Sequence, residues 1–377
     1  MKIIEVTPLP LQCSSANGPM TFFVVEIVTD TGLVGYGESC DCFGISYPTV
    51  HSAIVAAAYA PRLIGRELDA VEPLISDLRR ATRRELGETW SAGQTLSAIE
   101  IALWDLVGQE RGQSVSTMMG RVRDSVPVYA GSSPFLDDHP AQFHVDQLTP
   151  MLDRGVRHVK LRTGTRPDVA IDVLADVRRL LGRDIEIMVD ASESLDLPTT
   201  VRLTDRMAEL DVRWLEEPFL QSRHPAYQQV AGRSRIPIAA GEHVFGHGEA
   251  IAALSAGEIS VMQPDPCISG GFAEARTIAA TAASFGARVV VHYHAGVVGL
   301  AAALQFSACA ESIDLLEFPI HIDTVLRTQT GTDDWGIAAI EDGRLPVPDR
   351  PGLGVTPLTT ALQMTVDGYP APGGLAG

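Results

Sequence analysis

The alternation of hydrophobic and polar positions changes character near residue 126. Before that point a strand pattern gives way to helices. The runs "TFFVVEIVTD" and "LVGYGES" flank Thr31-Gly32 and predict a hairpin that turns there. Residues 51–64, "HSAIVAAAYAPRLI", and 95–112, "TLSAIEIALWDLVGQERG", set apolar side chains at helical spacing. "QSVSTMMG" ends the second helix as a short loop-helix element. Residues 1–125 therefore read as an α+β unit.

From residue 126 short apolar strands alternate with helical segments. The strands are "VPVYAG", "HVKLRTG", "IEIMVDAS", "VRWLEEP", "IPIAAGE", "ISVMQPDP", "ARVVVHY" and "LLEFP". "FHVDQLTPMLDRG" fills the first connection, and helices are predicted over 166–181, 198–210, 248–256 and 271–285. An open sheet of eight strands leaves two edges to protect, whereas a closed barrel leaves none. The pattern thus predicts an α/β fold: a (β/α)8 barrel over residues 126–320 behind an α+β N-terminal capping domain over 1–125. Residues 321–377 include the Gly- and Pro-rich "EDGRLPVPDRPGLGV". They are expected to pack back on the capping domain or the barrel rim.

Composition narrows the setting. No apolar run approaches membrane-span length, and "MKIIEVTPLPLQ" lacks the long apolar segment of a secretory signal. A cytoplasmic protein with no membrane partner is expected. The five cysteines, Cys13, Cys40, Cys42, Cys267 and Cys309, are odd in number and contain one close pair. That argues for a reduced compartment and against a zinc site. The net charge of -18 argues against a nucleic-acid partner, because phosphate contacts need clustered cations. Of 29 basic residues only Lys2 and Lys160 are lysines, which draws attention to Lys160.

Polar residues at the carboxyl ends of barrel strands converge on one site. Asp190 ends "IEIMVD", Glu216 lies in "WLEEP" and Glu242 ends "IPIAAGE". Each follows the last by one strand–helix unit, so the three stand on consecutive strands. Three ionised carboxylates side by side repel one another and lose hydration. A divalent cation resolves the conflict, and an all-oxygen donor set favours Mg2+, with Mn2+ possible, over Zn2+. One acid of the Glu216-Glu217 pair is then a ligand and its neighbour points elsewhere. Lys160 and Arg162, two apart in "HVKLRTG", share one strand face. They suit a substrate carboxylate or a developing enolate. Asp265 in "VMQPDP" and His292 in "VVVHYH" again differ by one unit, and an Asp beside a His makes a general base or acid. His294 has the same parity as His292 and rivals it. Glu317 in "LLEFP" completes the ring on the last strand.

Together these motifs resemble the enolase superfamily, and within it the mandelate racemase-like branch with its sugar-acid dehydratases. The resemblance spans nearly the whole chain: the α+β cap, "IALWDLVGQERG", the Lys160 strand, the acid triplet, "QPD", the late histidine and "LLE". It implies the modified barrel of that superfamily. It also implies Asp190, Glu216 and Glu242 as Mg2+ ligands, with Glu217 as the neighbour. Lys160 and Arg162 match the family's paired basic positions, Asp265 and His292 its dyad, and Glu317 its eighth-strand acid. The loops at "SSANGPM" and "CDCFGISYPTV" resemble those that close over the barrel mouth, which makes Ser14, Asn17, Phe43 and Tyr47 specificity candidates. A homo-oligomer is implied as well.

One departure redirects the chemistry. Many relatives carry Lys-x-Lys, whose second lysine is a base; this chain has "KLR". Arginine holds its proton too tightly for that role. Two-base racemisation is disfavoured, while one-base dehydration through His292 survives. No lysine follows Lys160, which counts against the branches that use a late barrel lysine. The expected reaction is α-proton abstraction from a carboxylate substrate and syn dehydration of an acid sugar to a 2-keto-3-deoxy acid. The alternative is a racemase, epimerase or cycloisomerase. A binding protein without catalysis would not need all three acids.

Overall fold

The computed structural model describes residues 1–15, 18–39 and 47–359. β1 (Ile3–Ser15), β2 (Gly18–Thr29) and β3 (Val34–Ser39) form an antiparallel sheet in that order. The expected hairpin is the β2–β3 pair, and Gly32 takes the left-handed φ of 84° at its turn. β1 escapes the sequence pattern because Pro8 and Pro10 interrupt it. It is an edge strand, where proline can sit without breaking a central ladder.

The cap helices are α1 (Pro48–Ile54), running through a π-turn (Val55–Tyr59) into α2 (Ala60–Leu63), then α3 (Val71–Leu86), α4 (Trp90–Arg111) and α5 (Val115–Met118). α4 is buried on nearly every side, with Ile99 and Leu103 in the cap core and Ile101 in the barrel core. Gly37 of β3 crosses it so closely that a Cβ would strike the Ala98 carbonyl oxygen. The sequence "VGYGES" is therefore a docking surface for a helix as well as a strand.

Eight parallel strands follow: β4 (Ser125–Phe135), β5 (His158–Arg162), β6 (Glu186–Asp190), β7 (Val212–Glu216), β8 (Ile238–Ala240), β9 (Val261–Met262), β10 (Arg288–Val291) and β11 (Ile313–Pro319). β11 pairs with β4 and closes the barrel. Seven crossovers hold α6 (Ala141–Leu152), α7 (Pro167–Leu181), α8 (Leu197–Glu209), α9 (His224–Ala231), α10 (Gly246–Ser255), α11 (Phe272–Ser284) and α12 (Val297–Ser307). α12 leaves no periodic signature in the sequence because all of it is buried and it has no polar face.

Tyr129, Met188, Trp214, Ala239, Val261, Val290 and Leu315 form a separate apolar cluster, one residue from each of seven barrel strands. Met188, Trp214 and Leu315 each precede a strand-end acid by two positions, and Val290 precedes His292 by two. Strand alternation puts each pair on one face, so the polar ring rests on an apolar layer inside the barrel.

Over residues 318–359 the chain is more ordered than its composition suggests. α13 (Asp323–Thr330) packs near β1, and β12 (Arg344–Pro346) adds antiparallel to the start of β4. Leu353 then donates its N–H to Asp105 of α4 at 2.8 Å. Among the described residues no helix is long and apolar enough to cross a membrane.

Candidate active site

The barrel register sets the strand-end groups beside one another. Arg162 pairs with Asp190 and Asp190 with Glu216 across β5, β6 and β7. The Lys160 ammonium contacts Glu216 Oε1, lies 2.9 Å from Glu317 Oε1 and 3.9 Å from Asp190 Oδ2. Arg162 Nε lies 3.4 Å from Asp190 Oδ2. Glu216 Oε2 accepts from Gln263 Nε2 at 2.7 Å and from Trp214 Nε1 at 3.3 Å. Tyr129 donates its hydroxyl to Glu317 Oε2 at 2.9 Å. Sequence reasoning missed Tyr129, Trp214 and Gln263 as partners: Tyr129 and Trp214 look like ordinary core positions in their strands, and Gln263 enters only through the motif "QPD".

Asp265 and His292 meet as expected, with Oδ2 and Nδ1 2.8 Å apart. Asp265 Oδ1 accepts from the Cys267 N–H at 2.7 Å, which fixes the carboxylate. The other ring nitrogen, Nε2, lies 3.4 Å from Glu242 Oε2, so it faces the acid group. Burial opposes charge on His292, but Glu242, Asp265 and Glu317 outweigh it and raise the pKa to about 10. His294 behaves in the opposite way. Burial and the nearby His321 and Arg162 hold it well below its ordinary value, so its imidazole stays neutral. Its ring lies 6.4 Å from that of His292 and 4.8 Å from that of His321, whose Nδ1 is 2.6 Å from Ser133 Oγ.

The two adjacent glutamates of "WLEEP" part company at the backbone. Glu216 ends β7, while Glu217 takes a left-handed φ of 39°. That turn sends Glu217 away from the barrel axis toward His243, with Oε1 3.2 Å from Nδ1. Glu193, Glu217 and His243 thereby bring ligand-type atoms within 4.8 Å of one another, a second cluster that strand-end spacing did not reveal.

Of the specificity candidates, Asn17 and Phe43 lie outside the described residues, as does the Ser14 side chain. Tyr47 is half exposed and stands immediately before α1.

The charge balance tests whether a cation suits this mouth. Asp190, Glu216, Glu242, Asp265 and Glu317 are all at most 9% exposed. They share the space with Lys160, Arg162 and His292, equally buried. Five carboxylates against three cations leave a deficit of two charges when His292 is protonated. Burial pushes the Glu216 carboxyl up to about 7 even against the pull of Lys160. An all-oxygen donor set short of two positive charges fits a hard divalent cation.

Residues 2–120 match the mandelate racemase/muconate lactonizing enzyme N-terminal domain, and residues 144–361 match the enolase C-terminal domain-like family. A D-galactarolactone cycloisomerase from Agrobacterium fabrum is 34% identical over 88% of either chain. An arabinonate dehydratase from Saccharolobus solfataricus is 26% identical over 90% of this chain and 89% of its own. A crystal structure of an enolase superfamily member from Polaromonas sp. JS666 superposes with a TM-score of 0.81 at 27% identity, covering 94% of this chain and 95% of that one. Family models that match the cap and most of the barrel, a relative 34% identical over 88% of the chain and a strand-end site of this composition make the chain a mandelate racemase-like member of the enolase superfamily.

Proposed function

We propose that this enzyme removes the α-hydrogen of an acid sugar and expels a β-oxygen, most directly as water, to yield a 2-keto-3-deoxy acid. The observation that carries the reading is the Asp265–His292 pair facing a cluster of carboxylates and two cations across one barrel mouth. Asp190, Glu216 and Glu242 would hold Mg2+. Bound there, the cation supplies positive charge that acidifies the hydrogen next to the substrate carboxylate.

The chain's own groups then divide the work. Asp265 holds Nδ1 of His292, and a cation held by Glu242 would offset part of the negative charge that raises its pKa, freeing Nε2 to take the α-proton. The electron pair of the broken C–H bond moves into the carboxylate, and Lys160 and Arg162 stand where that negative charge develops. When the ene-diolate collapses, the C–O bond at the β-carbon breaks. The proton held on His292 goes to the departing hydroxyl, which leaves as water. The resulting enol gains a proton at C3 to give the keto acid.

Racemisation would require a second proton carrier on the opposite face. Glu216 and Glu317 hold the Lys160 pKa well above its ordinary value despite burial, and Asp190 does the same for Arg162. Arg162, which stands where a second base would be needed, keeps its proton. Cycloisomerisation is the better second reading, and the name of the 34% identical relative favours it. If the β-oxygen belongs to a ring, the same elimination opens the ring and no atoms leave.

The test is a panel of acid-sugar diastereomers and their lactones with the Mg2+-loaded protein in D2O. Keto-acid formation and loss of the α-hydrogen signal should appear together for at least one compound. An inert panel, or turnover that persists after complete chelation, refutes the reading.

A further inference from the structure

Two glutamates of the capping unit are buried against the barrel and belong to no part of the acid cluster just described. Glu38, at the end of β3, is 1% exposed. Its Oε1 accepts the Gly296 N–H at 2.6 Å and its Oε2 the Gly299 N–H at 2.8 Å. Glu100, in the middle of α4, is likewise 1% exposed. Its Oε2 accepts the Phe272 N–H at 2.6 Å and its Oε1 the Ala273 N–H at 3.1 Å. Ser97, one turn earlier on α4, accepts the Gly270 N–H at 2.9 Å.

These contacts share a pattern. Gly296 caps α12, and α12 follows the loop that carries His292. Gly271 caps α11, and α11 follows the loop that carries Asp265. Helix starts leave N–H groups without partners, and a local Ser, Asp or Asn usually supplies the acceptor. α8 does this with Asp196, whose side chain accepts the Thr199 N–H. α11 and α12 instead begin with glycine and take side-chain acceptors from Glu100 and Glu38, 172 and 258 positions away, while Gln329 of α13 accepts the Val297 N–H of α12 at 2.7 Å. A local cap secures a helix to its own loop; a remote one secures it to the other domain.

Space at the two junctions is already filled. A Cβ on Gly296 would stand 2.6 Å from Gln329 and 2.8 Å from Glu38 Oε1, and one on Gly271 would strike Glu100. The two loops are also joined to each other, since the His292 N–H donates to Pro264 at 3.2 Å. A shift of either helix is therefore transmitted to the dyad.

We propose that Glu38 and Glu100 are positioning residues. Each fixes the helix behind one member of the Asp265–His292 pair, so that the capping unit sets the separation of the two. The inference rests on the reading of His292 as the proton carrier.

The experiment uses the full-length, Mg2+-loaded protein with Glu38→Gln, Glu100→Gln and the double substitution. Glutamine keeps the shape and one acceptor but removes the charge that both N–H groups share. His292→Asn identifies the low-field NMR proton of the Asp265–His292 hydrogen bond by its loss. Each single variant should lower kcat by about tenfold, the scale of lost support behind a site residue, with KM within about twofold. The low-field proton should shift or broaden in step. If a glutamine variant fails to fold, Glu38→Asp or Glu100→Asp keeps the charge and shortens the reach, and the same two readouts should move. A folded double variant with wild-type kcat and an unmoved proton overturns the inference. So does a loss of kcat with the proton unmoved. Full turnover in His292→Asn would instead refute the assignment of the base, while the proton shift would still report the positioning.

Discussion

Both ends of the barrel carry charge on the same strands, yet the two ends differ in kind. At the carboxyl end stand Lys160, Asp190, Glu216, His292 and Glu317. At the amino end of those strands stand His158, Glu186, Arg213, Arg288 and Asp314. The lower set pairs off evenly. Arg213 reaches Glu186 and Asp314, each at 2.5 Å, Arg288 reaches Asp314 at 3.1 Å, and His158 lies 3.0 Å from Glu186. Those groups are 15–49% exposed. The upper set is buried and short of positive charge. A charged cluster by itself therefore marks nothing. Burial combined with imbalance marks a site, because water cannot screen the deficit and a ligand can remove it.

The comparison is tested hardest by His292→Asn. Turnover should fall by about 10²–10⁴, the usual worth of a positioned proton carrier, while Mg2+ binding measured by calorimetry persists. Retained turnover would remove His292 as the proton carrier. Glu216→Gln comes next: divalent-cation affinity should drop by at least about tenfold. Unchanged affinity would remove Glu216 from the ligand set. At the lower end, Asp314→Asn should leave kcat and cation affinity within about twofold and cost no more than about 1 kcal/mol in a denaturant melt.

A pH series sharpens the contrast further. Burial pushes Glu38 and Glu100 up to about 7 against the N–H groups that donate to them. A carboxyl whose folded pKa is raised binds its proton more readily in the native state than in the unfolded one. Its stabilising contribution is complete below the ordinary value of 4.5 and disappears as pH rises through about 7. The melting temperature should therefore decline between pH 5 and 8, and Glu38→Gln with Glu100→Gln should flatten that decline. An equally steep decline in the double variant would locate the titration elsewhere.

What the sequence disclosed follows from geometry. Strand-end acids recur once per strand–helix unit, so Asp190, Glu216 and Glu242 show their relation in their spacing. The Asp265–His292 pair is visible for the same reason. β1 stayed hidden because prolines mask an edge strand, and α12 because a helix buried all round has no period. Glu193 and His243 depend on a left-handed turn at Glu217, which no propensity favours there. Glu38 and Glu100 were the least visible. Their partners are backbone amides, which every residue but proline possesses, so the sequence carries no trace of the match.

Asp105 extends the theme to the tail. Its carboxylate accepts from the Tyr36 N–H of the cap sheet and from the Leu353 N–H of the tail, and it is almost completely buried. The first partner precedes α4 in the chain and the second follows the whole barrel. α4 is therefore fully satisfied only when both segments are in place. The β12 pairing and the Leu353 amide come from one segment, so whatever loosens residues 344–353 leaves a buried carboxylate of the cap helix short of a donor.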